Sequence, residues 1–346
     1  MKRFPVVSAL FVCVASGALF SFLRAPLPWM IGPLLGMACG KFMGVTLASP
    51  KGGRAAGQVV IGCTLGLYFS PVVALEVAAH WYLLVAAALL AVLLAYASGW
   101  FLSRSAGLDA TTALFASVPG GAAEMTILGE RFGAQSDRVV MAQSLRILLV
   151  VVIVPFTIAA AGVHGTDAYE PPHRDVSLQG LAALLAIAVA AGGLLKGLNM
   201  PNAWMLGPLA VTIALTVAEV RLSAMPIALS NAAQVLLGCA LGSGFQRESL
   251  REAPRYMAMV CISIVIAIAL SALFGWGVAL TGAVSTPTMV LATAPGGMAE
   301  MCITAKVLQL GVPLVTAAHV TRVIILVTTT GPIFRLARHM RRRLQG

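Results

Sequence analysis

Two closely similar stretches of nine residues constrain the fold of this chain more than any other feature. The first reads SVPGGAAEM from Ser117 to Met125, and the second reads TAPGGMAEM from Thr293 to Met301. Proline lacks the N–H of a helix interior and glycine leaves φ free, so neither copy continues a regular helix. Both lie in long apolar sequence, where a lipid-embedded chain tolerates a broken backbone only against protein or a water-filled cavity. A single copy would fit a packing kink, whereas two copies favour a binding site.

The composition indicates a polytopic membrane protein. Hydrophobic residues make up 59% of the 346 residues and charged residues only 10%, which excludes an ordinary soluble domain. Two shorter, glycine-rich apolar runs lie at 55–70 and 227–245. Runs long enough to cross a core of ~30 Å lie at 4–23, 27–47, 81–102, 139–163, 178–195, 203–220, 256–281 and 314–334.

The net charge of +11 does not indicate nucleic-acid binding. The basic residues are scattered over short connections and the tail 335–343, as the positive-inside rule predicts for cytoplasmic flanks. All six cysteines lie in apolar segments without metal-ligand spacing, so we expect small buried residues. We therefore expect no metal, no cofactor and no direct nucleic-acid partner.

The duplication extends along most of the chain. Pro119 aligns with Pro295 at an offset of 176, and the segment WMIGPL at 29–34 recurs as WMLGPL at 204–209. The pairs Gly62 with Gly66 and Gly238 with Gly242 also correspond, and their spacing predicts close helix packing. We predict a first membrane repeat at 1–163, a periplasmic linker at 164–176, and a second repeat with a short basic tail at 177–346.

The charges also predict the topology. If each half has five crossing helices and each PGG segment enters and leaves on one side, most basic residues and both termini lie in the cytoplasm. Full crossings by the PGG segments would strand Arg247, Arg251 and Arg255 outside. The predicted fold is an all-α integral membrane protein of two inverted repeats of five transmembrane helices, each with a re-entrant broken-helix hairpin, about ten crossings in total.

Four charges lie deep in apolar sequence, namely Glu124, Glu300, Arg146 and Arg322. Leaving all four against lipid would cost about 10 to 14 kcal/mol, so they are expected to face inward. One interpretation is a pair of structural Glu–Arg bridges that lock the hairpins. The other is a site between hairpin tips near the midplane, where half-helix N-termini and arginines bind a small anion and the glutamates carry protons or cations.

The predicted site draws on both halves. Gln143 and His319 precede the two arginines by three residues and share their helix faces. Gln58 and Gln234 could line the same cavity or bond neighbouring helices, and the sequence does not decide between these roles. The predicted substrate or ion site comprises Pro119, Gly120, Gly121, Glu124, Gln143, Arg146, Pro295, Gly296, Gly297, Glu300, His319 and Arg322.

The duplicated pattern of a WMxGPL segment, a PGGxAEM segment and an arginine about twenty residues later resembles the AbrB duplication family of bacterial inner-membrane proteins. Members of that family carry labels such as AbrB-family transcriptional regulator and ammonia monooxygenase. The resemblance covers essentially the whole chain. It implies a duplicated membrane protein of the bacterial inner membrane that is associated with regulation of gene expression, and it supplies no catalytic residues.

The function favoured at this point is that of a secondary-transporter-like protein without enzymatic activity. A membrane-embedded sensor without transport is the alternative, because a sequence does not distinguish a binding site from a translocation path. A monooxygenase is disfavoured, since its copper or iron site would need several histidine or carboxylate ligands. We expect a small molecule or ion and the surrounding lipid as partners, and a homo-oligomer stays open.

Overall fold

A computed structural model describes residues 4–119, 122–162, 165, 175–245, 254–282, 284–326 and 328. The side chains of 122–124, most of the linker 164–176 and the basic tail lie outside this description. Within it the chain forms fifteen α-helices and no strand. They are α1 Phe4–Phe22, α2 Pro28–Phe42, α3 Gly53–Gly66, α4 Pro71–Ala79, α5 Trp81–Ser105, α6 Ala110–Ser117, α7 Ala122–Arg131, α8 Ser136–Ala160, α9 Leu178–Gly197, α10 Ala203–Val217, α11 Ile227–Gly242, α12 Pro254–Ala279, α13 Thr286–Thr293, α14 Met298–Val307 and α15 Val312–Leu326.

Five of these helices are long and apolar enough to cross a membrane, namely α1, α5, α8, α9 and α12. A sixth span results if α3 and α4, bent by 91° at their break, are taken together. The run predicted at 27–47 contains a helix of only 15 residues, because the chain turns at Gly44 with φ 84°. At 1.5 Å per residue this helix covers about 22 Å, which is shorter than the hydrocarbon core.

Several described helices recur along the chain at the offset of the repeated stretch. The short helix α6 begins at Ala110 and its counterpart α13 begins at Thr286, 176 residues later. The helices that follow the two PGG segments, α7 and α14, each contain 10 residues and begin at the same offset. The duplicated sequence therefore adopts closely matching local structure in the two halves.

Glycines bring the two halves into direct backbone contact. A Cβ on Gly62 of α3 would lie 2.8 Å from the carbonyl oxygen of Met205 and 3.1 Å from the Cβ of Pro208 on α10. In the same way, Gly238 of α11 packs against Met30 and Pro33 of α2. The small-residue packing that the sequence predicts is confirmed, and it joins α2 and α3 to α10 and α11.

The short helices α6 and α13 each begin a helical hairpin whose two ends are joined by a hydrogen bond. The hydroxyl of Thr112, at the start of α6, accepts a hydrogen bond of 2.9 Å from the N–H of Gln135, which precedes α8. The hydroxyl of Thr288 accepts the N–H of Gly311 in the second half, at 3.2 Å. Because the two ends of each hairpin are joined, the chain returns to the level at which it entered.

Candidate functional site

Two arginines bind the backbone where the hairpins break. A helix that ends leaves its last carbonyl groups without partners, and these need donors when they are buried. Arg322 donates from Nη1 to the carbonyl oxygen of Ala294 at 2.7 Å and from Nη2 to that of Gly296. Arg146 donates from Nη1 to the carbonyl oxygen of Val118 at 2.9 Å. Both arginines are buried, and each therefore fastens the tip of the hairpin in its own half.

Gln143 and His319 support the same hairpins from behind. Gln143 donates from Nε2 to the carbonyl oxygens of Phe115, at 2.8 Å, and Val118, at 2.9 Å. His319 has Nε2 3.0 Å from the carbonyl oxygen of Leu291, and because a carbonyl only accepts, the ring N–H donates. Both side chains are fully buried. The structure thus gives these two predicted site residues a positioning role.

Two cavities lie on either side of the hairpin tips. The first, which we call the tip cavity, lies between α5, α12 and both tips, and it has a volume of about 530 Å³ with its open mouth included. Its polar and tip residues include Ser98, Ser117, Pro119, Arg146, Ser263, Ser271, Thr293 and Pro295. Pro119 and Pro295, one from each copy of the repeated stretch, therefore line the same cavity.

The second cavity, the carboxylate cavity, contains the buried glutamate. It has a volume of about 590 Å³ with its open mouth included. Pro119 and Arg146 line this cavity as well as the tip cavity, so they form part of the partition between the two. Its polar and tip residues are Arg54, Gln58, Pro119, Arg146, Asn202, Gly297, Glu300 and Arg322.

Glu300 lies in the first turn of α14, only 6% exposed, and its carboxylate folds back over Gly297. A Cβ on Gly297 would overlap the Oε2 atom, so a glycine is needed beneath the carboxylate. Oε2 has no hydrogen-bond partner among the residues that the structure describes, and the two terminal nitrogens of Arg322 donate to the carbonyl oxygens of Ala294 and Gly296. The described contacts of Arg322 are thus with the hairpin backbone, and a bridge from Arg322 to Glu300 is not among them.

Three predicted site residues cannot be located in the first hairpin. Gly120 and Gly121 lie outside the described residues, as does the side chain of Glu124. The backbone of Glu124 belongs to the first turn of α7, as that of Glu300 does to α14. Gly296 is buried at the second tip, where a Cβ would lie 2.9 Å from Val150 of α8.

Sequence analysis missed two polar residues of the carboxylate cavity, Arg54 and Asn202. Arg54 is one of the basic residues that the topology prediction assigns to the cytoplasm. It lies one turn before Gln58 on α3, and that spacing is the signal that would have indicated the cavity. Asn202 precedes α10 with φ 50°, a conformation that Asn tolerates better than most residues. Gln58 lines this cavity, which is one of the two roles that the sequence leaves open for it.

A third cavity, the side cavity, opens beside the first hairpin. It is lined by Thr126 and Ile127 of α7, Ser144 of α8 and Gly244 after α11, and it shares Arg54 with the carboxylate cavity. Ile127 is 54% exposed, whereas Ile303, its counterpart 176 residues later, is only 1% exposed. The two hairpins therefore differ in exposure, and the first one faces the open space.

Comparison with known proteins gives one family and two relatives of nearly full length. Residues 29–338 match the family described as "Transition state regulatory protein AbrB". The chain is 28% identical to "Putative regulator AbrB" of Escherichia coli (strain K12), over 95% of each chain. It is also 28% identical to "Uncharacterized protein YhjN" of Bacillus subtilis (strain 168), over 95% of this chain and 92% of that protein.

Proposed function

Because the chain belongs to the AbrB family, and because its helices are those of a membrane-like protein, we propose that it acts as a secondary-transporter-like protein. In this proposal it binds a small solute between its two hairpins and has no enzymatic activity. The family description and the name of the Escherichia coli relative refer to regulation. We propose that any effect of this protein on gene expression is indirect, through the level of the solute.

The observation that carries the proposal is the meeting of the two broken-helix tips at a partition between two cavities. Secondary transporters bind their substrates where discontinuous helices from two repeats come together near the bilayer midplane. Pro119 and Pro295 occupy corresponding positions in the duplicated sequence and line the same cavity. A partition with space on either side is what alternating access to one site requires.

The hairpin geometry also supports the proposed topology. A hairpin whose two ends are joined through Thr112 or Thr288 enters and leaves on one side of the membrane. In this proposal the shorter helices α2, α3, α10, α11 and α15, of 14 to 16 residues, count as crossings beside the five long ones. Each half then contributes five crossings, namely α1, α2, α3, α5 and α8 in the first half and α9, α10, α11, α12 and α15 in the second. An odd number inverts the second half relative to the first and gives about ten crossings, with both termini cytoplasmic in the bacterial inner membrane.

The side cavity supports an assignment of the facing state. It opens next to Arg54 and the first hairpin, which the charge distribution assigns to the cytoplasmic side. The second hairpin helix, α14, is buried at every position from Met298 to Ala305. We therefore propose that this conformation is open to the cytoplasm and closed on the periplasmic side.

The charges of the carboxylate cavity favour an anionic solute. Three arginines, Arg54, Arg146 and Arg322, line it together with a single glutamate among the described side chains. A guanidinium group presents a planar set of donors that suits carboxylates and related oxyanions. The solute is accordingly proposed to be a small anion, with Glu300 and Glu124 as carriers of a coupled proton or cation.

A membrane sensor without transport is the second candidate, and the regulator name of the Escherichia coli relative favours it. Two measurements on the purified full-length chain separate the candidates. A thermal-shift screen of small anions identifies a ligand, and uptake of that ligand into proteoliposomes then tests for transport. Binding with uptake above protein-free vesicles supports the transporter, whereas binding without uptake under a proton or sodium gradient overturns it in favour of the sensor.

A further inference from the structure

We propose that the carboxylate of Glu300 occupies the place of a substrate carboxylate at the N-terminus of α14, and that a small carboxylate anion binds there when Glu300 takes up a proton and moves away. The inference rests on the proposed function, because it names the substrate class and the coupling step of the same site. Proton and anion would then bind together, one proton for each anion.

Glu300 lies at the N-terminal end of α14. Met301 is the first residue of α14 whose N–H bonds within the helix, to the carbonyl oxygen of Gly297, so the amides just before it lack helical partners. Glu300 folds its carboxylate back over Gly297, at this end of the helix. A helix N-terminus attracts negative charge. The anion that this terminus now faces is therefore supplied by the protein itself.

The carboxylate of Glu300 is incompletely satisfied at this position. Oε2 of Glu300 is buried without a hydrogen-bond partner in the described chain, although the side chain lines the carboxylate cavity. A buried oxygen without a donor is unfavourable by about 1–3 kcal/mol. Protonation removes the charge and with it most of the attraction of the carboxyl group for the helix terminus. The group can then leave Gly297 without losing a hydrogen bond at Oε2.

A bound anion would replace this carboxylate. Arg322 is also buried, and its Nε has no hydrogen-bond partner among the described residues although both terminal nitrogens are engaged. An anion in the carboxylate cavity could accept from this N–H and from the first-turn amides of α14. A carboxylate fits best, because the cavity already holds one in that position. A mono- or dicarboxylate of a few carbon atoms suits a space bounded by Gly297 and Arg322.

The other charged or titratable groups that surround Glu300 are three arginines and a thiol. Arg54 of α3, Arg146 of α8 and Arg322 of α15 act on it electrostatically, and the thiol of Cys302 lies on the same helix. Arginine stays protonated over the whole working range of pH. His319 is the remaining titratable side chain near Arg322, and its N–H is engaged by Leu291. The test must therefore separate Glu300 from His319.

The experiment measures anion affinity of the purified full-length protein against pH. The probes are acetate and succinate, with sulfate as an anion whose own charge stays fixed, between about pH 6.5 and 9, where carboxylates are ionised. If one proton accompanies each anion, the Kd of the parent rises about tenfold for each pH unit above the titration of Glu300. Glu300→Gln resembles the protonated form. At pH 9 this variant should bind the anions as tightly as the parent does at its lowest pH, and its Kd should not change with pH.

Two variants act as controls, and a third repeats the test at Glu300. His319→Gln keeps a donor towards Leu291 and should retain the pH slope of the parent. Glu76→Gln removes an exposed carboxylate on α4 and should change neither affinity nor slope. In Glu300→Asp the side chain is too short for its carboxylate to cover Gly297, so this variant should also bind the anions more tightly than the parent at high pH. It keeps the inference testable should Glu300→Gln fail to fold.

The outcomes are distinct. If the anion Kd of Glu300→Gln or Glu300→Asp changes with pH as that of the parent does, the inference is overturned. The proposed function still stands in that case, because the anion binds. Binding of sulfate but neither carboxylate overturns the assigned substrate class. A protein that binds none of the probes but takes up another solute also overturns the inference alone. A protein that neither binds nor takes up any solute of the screen overturns the proposed function together with the inference.

Discussion

The hydroxyl of Thr112 and the backbone N–H of Gln135, 23 residues apart, form the hydrogen bond that closes the base of the first hairpin. The donor lies in the segment that leads into α8, and the acceptor lies in the first turn of α6. The same pairing joins Thr288 to Gly311 in the second half. A broken helix that begins and ends at one level follows from this contact, and the predictions below start from it.

Replacing Thr112 with Val should loosen the first hairpin. Valine keeps the shape of threonine but leaves the N–H of Gln135 without its acceptor, which lowers the free energy of unfolding by about 1–2 kcal/mol. Thermal unfolding in detergent measures the change. The matched control is Thr111→Val on the neighbouring position of α6, which should alter the midpoint little. Equal midpoints for both variants would mean that the hydroxyl does not close the hairpin.

Substitution of Arg322 should mainly lower the stability of the protein, whereas substitution of Arg54 should mainly weaken anion binding. Arg322→Met removes the donors to the carbonyl oxygens of Ala294 and Gly296, so we expect a loss of about 3 kcal/mol or more from two charge-assisted hydrogen bonds. Arg54→Met removes a half-buried charge of the carboxylate cavity and should weaken anion binding with a much smaller effect on unfolding. Thermal stability and anion affinity measured on both variants test the contrast. If the Arg322→Met protein is as stable as the parent and binds anions with the same affinity, Arg322 does not hold the hairpin tip in place.

Cross-linking across the side cavity should trap the conformation described above. A Cβ built on Gly244 would lie 3.8 Å from the Cβ of Ser144, a separation typical of disulfides. The pair Ser144→Cys and Gly244→Cys, once oxidised, would hold α8 of one half to the end of α11 in the other. We expect uptake to stop on oxidation and to return with a reductant. Each single cysteine variant under the same oxidant is the control, and full uptake by the cross-linked protein would exclude movement at this contact.

The topology can be tested with reporter fusions. A reporter joined after Asp175 should be periplasmic, since five crossings precede it from a cytoplasmic N-terminus. A reporter joined after Gly107, between α5 and the first hairpin, should be cytoplasmic and acts as the matched control. Cytoplasmic signals from both fusions would contradict inverted halves and would favour parallel ones.

Sequence patterns could predict the hairpins because proline and adjacent glycines act locally. Pro119 and Pro295 are each followed by two glycines, a combination that does not continue a regular helix, and a buried Arg322 needs a partner in any fold. The identity of that partner was beyond the sequence. Every residue carries a carbonyl oxygen, so the sequence does not distinguish Ala294 or Gly296 as acceptors. A glutamate at position 300, in contrast, is an evident partner for an arginine.

The remaining differences have a similar cause. Helical periodicity indicates which face carries Gln143 and His319, but it does not indicate whether that face meets a cavity or the back of a hairpin. Arg54 was missed because charge counting assigns a residue to one side of a membrane and ignores the reach of its side chain. The length of α2 was overestimated because an apolar run can continue beyond a turn such as that at Gly44.

The glycine contacts between the halves limit how this protein can move. Met205 and Pro208 touch Gly62 on one side, as Met30 and Pro33 touch Gly238 on the other, and each contact brings backbone against backbone. Surfaces in such close register cannot slide without separating, because no flexible side chain lies between them to take up the shift. The four helices α2, α3, α10 and α11 thus form a static frame shared by both halves. In the proposed transporter, exchange of the open side then comes from α5 to α8 and α12 to α15 moving across that frame.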